Sequence, residues 1–459
     1  MKLKDFEKPL VKNTANLLNP IVAESDGVAE KYRERILNSK NSIPCAENIW
    51  YVSSKGNDNA DGKSKENAIK TIDALKKCRI SEGDAVLFER GGVYRGHIEA
   101  VSGVYYGSYG MGDKPCIYIS AMNYANAKWK YERDNIWSVE APNTTDIGII
   151  VLNHGEQVGF KRKSIDDLKC DNDYCSNHGQ VLFCSEENPA EKWDSVEMGD
   201  LNHTILMLPN VHDVTIENIT FKYGGSMAVQ GLDGVKNITV RNCEIGWMGG
   251  CYLPNYKDGN VRYGNGIEFW NGCENVLVED CWIYQIYDSG FSHQGNGTFV
   301  EKDITFRRNL IEYTSFASIE YWVHDANKNS MENITYEDNV LRFAGYGWGD
   351  AQRPDIHAYH ILSTGKMDHK CSNFKIKGNI MDMSTRGLIK CTSNVGTLPE
   401  IMGNTYYQTE GGLLGAYGDA DSPIEYFSRD VAEVLGEKFG DTSAKIKFYK
   451  SGDNNERKS

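Results

Sequence analysis

The chain has 459 residues and a formal net charge of −14, from 50 Lys and Arg against 64 Asp and Glu. So acidic a chain has no global attraction for nucleic acid or anionic membranes, and its 15 Phe, 9 Trp and 26 Tyr supply too much core material for a disordered protein. No run approaches the ~20 consecutive apolar residues of a membrane helix.

Residues 1–48 read as an arm, helical over Glu30–Asn38. Charges interrupt Met1–Pro20 every few residues, so the stretch lacks the apolar core of a signal peptide. A cytoplasmic location and reduced thiols for the 12 Cys are therefore expected. Thr71–Cys78, TIDALKKC, carries an N-cap residue and an apolar stripe at Ile72 and Leu75, suited to a short helix capping the open end of a solenoid. Ala85–Glu89 and Cys116–Ser120 are the first strand-like runs. Residues 154–205 show little periodicity and read as an insertion. It contains Cys170, Cys175, His178 and Cys184, but their spacing is not a paired CxxC, and no metal or other cofactor is assigned.

From Val211 onward the chain repeats itself. Val214-Thr-Ile-Glu-Asn218, Ile238-Thr-Val-Arg-Asn242, Val276-Leu-Val-Glu-Asp280, Ile304-Thr-Phe-Arg-Arg308, Ile334-Thr-Tyr-Glu-Asp338 and Phe374-Lys-Ile-Lys-Gly378 each alternate apolar and polar residues. That is the period of a half-buried strand. Each run ends in Asn, Asp or Gly, or meets Asn one residue later, and these residues tolerate a left-handed backbone. A second set falls between: Met227–Gln230, Ile267–Trp270, Phe291–Gln294, Ile319–Trp322, Ala358–Ile361 and Leu388–Cys391. Two or three short strands per turn describe stacked coils about 4.8 Å apart around a continuous apolar core. At the C-terminus, Ser422-Pro423 before IEYFSRDVAEVLGEKFG predicts an N-capped helix. The predicted fold is all-β: a single-domain right-handed parallel β-helix over 49–420, with the arm before it and a helix and tail over 421–459.

Several stretches resemble a known group. Ile49–Gly62 (IWYVSSKGNDNADG), Ile69–Ile72, Gly83–Phe88, Arg90–Gly92 and Arg95–Gly96 are similar to the N-terminal coil of carbohydrate-active right-handed β-helix proteins of the pectate-lyase-like type. Gly266–Gly272, Tyr287–Gly290 and His293–Gly295 resemble their glycoside hydrolase branch. The resemblance spans roughly 49–415. It implies the fold and a carbohydrate substrate, whereas the reaction differs between members of such a fold.

Outward residues of stacked coils form columns. With Ile267, Phe291, Ile319, Tyr359 and Leu388 taken as inward, the next column reads Glu268, Ser292, Glu320, His360, Ile389. Two positions on it reads Trp270, Gln294, Trp322, Leu362, Cys391. Two carboxylates for acid–base work beside two Trp faces suit a sugar site. Asp288 lies just before the intervening strand, so Glu268, Asp288 and Glu320 are the candidate catalytic residues. Two rungs, about 9.6 Å, separate the two Glu backbones, whereas either Glu could pair with Asp288 at shorter range, so the pair and the stereochemical outcome stay open. Trp270, Trp322, Tyr263, His293, Trp348, Arg353, His357 and His360 are the candidate substrate-binding residues, several of them on the insertions 249–265 and 345–357. His293 also follows the inward alternation of a core histidine. His324 and Asp325 follow the second strand closely enough to reach the rim.

The leading expectation is a glycoside hydrolase with a carbohydrate as partner and no nucleic acid or membrane. Alternatives are a uronate lyase or epimerase, which would draw on Arg353, Arg386, Lys390 and His360, and a non-catalytic tailspike-like binder.

Overall fold

A computed structural model describes residues 23–42, 44–141, 146–177, 179–254, 256–257, 260–296, 299–323, 330–354, 358–364, 370–393, 397–419, 421–427 and 433–449. Three sheets of ten strands each run the length of the molecule. From Ala85–Glu89 to Leu413–Gly418 the chain visits them in the order A, B, C. One full coil takes Val235–Arg241 in sheet A, Glu244–Met248 in sheet B and Ile267–Trp270 in sheet C, then returns to sheet A at Cys273–Glu279. Successive rungs pair in parallel, Val214 with Ile238 with Val276 with Ile304 with Ile334 with Phe374. The inward side chains of all three sheets meet in one continuous core. The first set of repeats is sheet A and the second is sheet C. Sheet B, with strands such as Trp282–Ile286 and Leu310–Thr314, is the third strand of each turn, within the two or three expected.

The run-ending residues do what their type allows. Asn218, Asn242, Asp280, Asp338 and Gly378 turn the corner from sheet A to sheet B with φ between 52° and 65°. Arg308 takes the same corner at φ 53°, a position where an arginine has no intrinsic preference. Beside it, an amide ladder runs Asn309 to Asn339 to Asn379 to Asn404, each Nδ2 donating to the next Oδ1 at 2.9–3.1 Å. It terminates on Asp441, which accepts from Asn404. Inside the coils these amides satisfy one another, so their burial incurs no lost hydrogen bond.

The ends depart from expectation in two places. The insertion is longer than 154–205: it leaves after Cys116–Tyr118 and returns at Ile205–Met207. It builds a five-stranded and a three-stranded sheet of mostly antiparallel pairs around Trp129, Tyr174, Val181 and Phe183, so it carries no solenoid period. Cys175 and Cys184 are buried there and Cys170 is exposed, while His178 lies outside the described residues. Among the described residues no group of three His, Cys, Asp or Glu side chains is arranged to hold a metal ion. The predicted C-terminal helix is instead a strand, Ile424–Phe427, antiparallel to Leu413–Gly418, followed by a helical turn at Glu433–Lys438 and a further strand at Lys445–Tyr449. The open edge of sheet C offers unpaired backbone groups, and pairing them outweighs the local Ser-Pro signal. At the other end the cap forms as expected: α-helix Ile72–Leu75 has the Thr71 hydroxyl accepting from Ala74 N.

The arm forms a helix at Asp26–Leu37 that lies across the outer face of sheet B. Ser25 bonds Asp382, Arg33 bonds Glu312, and Ser39 bonds Asn218, so the arm crosses the rungs rather than following one.

Candidate active site

The site is assembled on the outer face of sheet C and at the corner where sheet B passes into it. Register places Glu268, Ser292 and Glu320 on three successive rungs. Upstream the column continues to Gln230, Leu206 and Glu99. Downstream the expected alignment slips, by two residues at Leu362 and by one at Lys390. Glu320 faces Leu362, which faces Lys390, whereas His360 and Ile389 lie elsewhere. Ile319, Ile361 and Ile389 are the true inward set, because the apolar run of this coil starts at Tyr359 and admits two frames.

Both glutamates are deeply buried, with Glu268 3% and Glu320 8% exposed. Glu268 is held by three side-chain amides: Gln230 donates to Oε1 at 2.7 Å, and Asn265 and Gln294 donate to Oε2 at 2.6 and 2.7 Å. Glu320 accepts from Ser289 Oγ at 2.9 Å and Thr364 Oγ1 at 2.8 Å. Asn265 bridges the two halves, since its Oδ1 accepts from Ser289 N at 2.8 Å. Burial pushes the Glu268 carboxyl up to about 7 despite its three donors. Burial, reinforced by the Asp288 charge, pushes Glu320 up to about 8. Asp288 acts on both glutamates, so all three carboxyls share one electrostatic neighbourhood.

Asp288 sits in the corner before its strand and retains 19% side-chain exposure. Arg353 Nη1 donates to its Oδ1 at 3.1 Å and to Tyr287 O at 3.0 Å. The guanidinium is itself held against the rings of Phe316 and Tyr287, 4.6 and 5.1 Å from their centroids. The indoles of Trp270 and Trp322 meet over Gln294 edge to face, with centroids 5.6 Å apart, and both remain half-buried. Tyr263 lies on the same side. Its hydroxyl accepts from Ser226 Oγ at 3.1 Å, and Glu268 contributes to lifting its pKa to about 12, after burial.

Three of the proposed binding residues are not available to a substrate. His293 is fully buried inside the coils, bonded to Glu301 and Tyr336, as its inward alternation allowed. Trp348 is fully buried against Tyr287, under the loop that carries it. His360 is also fully buried, with Nδ1 3.0 Å from Ser318 Oγ, and desolvation pushes it down to about 3. His357, Asp355, His324 and Asp325 lie outside the described residues. The residues missed were the supporting ones: Gln230, Asn265, Gln294, Ser289 and Thr364. Two of them, Gln230 and Gln294, ended strands that the repeat had already aligned.

The insertions share one corner. The large insertion, 249–266 and 345–358 all leave between sheet B and sheet C, the corner that holds Asp288. They lock together there: Gln352 bonds Lys161 N and Gly159 O of the large insertion, and Arg262 Nη1 donates to Gln352 Oε1.

Comparison with known proteins agrees with this architecture. Residues 195–347 match the family described as "Right handed beta helix region". The chain is a right-handed parallel β-helix. No curated protein matches it. Among solved structures it is similar to XylC in complex with xylose (11% identity, 88% of this chain and 82% of that one, TM-score 0.37). It is similar to the GH136 lacto-N-biosidase from Eubacterium ramulus (13%, 92% and 70%, TM-score 0.37) and to a rhamnogalacturonan lyase (9%, 82% and 79%, TM-score 0.44).

Proposed function

We propose that the protein is a glycoside hydrolase in which Glu320 is the general acid and Asp288 the ionised carboxylate opposite it. The observation that carries this reading is the protonation pattern. Two buried glutamates, pushed up by burial to about 7 and about 8, flank an aspartate that Arg353 pairs. Glycosidic bond cleavage needs one carboxylic acid to protonate the leaving oxygen and one carboxylate to serve the sugar's anomeric carbon. Glu268, fixed by its three amides, orients that pair and the sugar between them. Trp270 and Trp322 offer the apolar faces on which pyranose rings stack.

A uronate lyase would need a cation beside its base to neutralise the substrate carboxylate. No cation figures among the leading causes that move Glu268 or Glu320, Arg353 and Arg386 are engaged by Asp288 and Glu425, and Lys390 stands two rungs from Glu320 beyond Leu362. His360 is buried and neutral. A neutral sugar therefore fits the site better than a uronate. The test is hydrolysis of a panel of aryl glycosides and oligosaccharides by wild type, Glu320→Gln and Glu268→Gln. Loss of the general acid should cost about 10²- to 10⁴-fold in kcat for poor leaving groups and far less for activated ones. Wild-type turnover by both variants would show the assignment to be wrong.

A further inference from the structure

The column through the catalytic glutamates is closed at one end and open at the other. On the rung after Glu320 the column presents Leu362, 1% exposed. Leu362 belongs to a small apolar cluster with Ala317, Tyr359 and Leu413, against which Phe316 and Phe427 pack. Phe427 comes from the terminal strand that pairs with Leu413–Gly418, so the segment expected to be a helix helps to wall this end. Thr364, bonded to Glu320 Oε1, closes the same side with a polar group. This rung is therefore covered by side chains, and the half-buried Lys390 lies on the next one. In the opposite direction cover thins rung by rung: Gln230 is buried, Leu206 half-buried and Glu99 exposed. The face opens at Leu206 and Glu99, two and three rungs or about 10 and 14 Å from Glu268.

We infer that the site is a blind pocket that admits a chain end, so that the enzyme removes sugar from the terminus of an oligosaccharide whose remainder lies over Gln230, Leu206 and Glu99. This rests on the glycosidase reading above and adds its mode of action. The balance of the step is ordinary hydrolysis: the anomeric carbon–oxygen bond breaks, the leaving oxygen takes the Glu320 proton, and water supplies the new hydroxyl while its other proton passes to Asp288. The remainder of the chain is then the part released along the open face.

The test uses aminopyridine-labelled di- to hexasaccharides of xylose, glucose, galactose and mannose with the full-length protein, and reads product sizes below a tenth of total conversion. The expected pattern is one short product of constant size together with a substrate shortened by that unit. Leu206→Ala should lower kcat/KM for the hexasaccharide about fivefold more than for the disaccharide, because only the longer chain reaches that rung. Fragments of mixed intermediate length in the first turnovers, or an equal effect of Leu206→Ala at every length, overturn the chain-end proposal alone. No hydrolysis of any probe, here or among the aryl glycosides, overturns the glycosidase reading and this proposal with it.

Discussion

Sheets B and C both bury glutamates on their outer faces, and they treat them in opposite ways. On sheet B, Glu244 meets Lys222 at 2.6 Å, and Glu312 lies between Arg33 and Arg342 at 3.1 and 2.8 Å. Although desolvation opposes it, these cations hold both carboxyls below the usual range. On sheet C, Glu268 and Glu320 are as deeply buried but receive amides and hydroxyls in place of cations, and both are raised. Burial alone therefore does not mark a functional carboxylate. What distinguishes the two faces is whether the fold supplies a counter-charge, and a site that must hold and release a proton near neutral pH withholds it.

The contrast can be broken from either side. The largest effect is expected on sheet B. Glu312→Gln leaves Arg33 and Arg342 facing each other without their shared anion, and should cost about 3–5 kcal/mol of stability in denaturant unfolding. The folded fraction should retain its kcat, and a kcat that fell with stability intact would erase the distinction between the faces. A smaller effect follows from making sheet C resemble sheet B. On the glycosidase proposal Glu320, pushed up to about 8, sets the alkaline limb of the pH–activity profile; Gln294→Lys places an ammonium beside Glu268 and should lower that limb by about 1–2 pH units. An unmoved limb would mean that neither glutamate governs it.

The smallest effect is in stability against pH. Glu320 keeps its proton in the folded state up to about pH 8, whereas the unfolded chain releases it near the ordinary glutamate value. The stability linked to that proton is complete at acid pH and is lost as pH rises through 8. Glu312, lowered in the folded state, contributes stability above the ordinary glutamate value and loses it as pH falls. Glu320→Gln should accordingly unfold at higher denaturant than wild type at pH 9, with the advantage shrinking at pH 5. An advantage independent of pH would assign it to packing.

Much of this was legible in the chain. The Asn, Asp and Gly residues that end each sheet A run declare a left-handed corner, and the alternation between them declares the strands. IEFW and IEYW carried the glutamates and indoles to one face because register in a stacked solenoid is set rung by rung. Legibility stopped where two frames were equally apolar, as at Tyr359–Ser363, and where pairing answered to the edge of a sheet rather than to local propensity, as at Ile424–Phe427. His293 shows the limit for single residues. One strand carries both Gln294, which holds Glu268, and His293, which faces the core, and only the parity of the strand separates them.

The arm gives the molecule a clock. Ser25 and its partner Asp382 are 357 positions apart, and Asp26 and Arg33 wait for Arg342 and Glu312. During synthesis these residues emerge long before the rungs they will bind, so the outer face of sheet B stays uncovered while coil after coil is laid down. Only when the rung carrying Asp382 has formed can Ser25 dock. Docking of the arm thus reports that the rungs up to Asp382 are complete, and a chain halted before that rung would display its unmatched charges to the quality-control machinery of the cell.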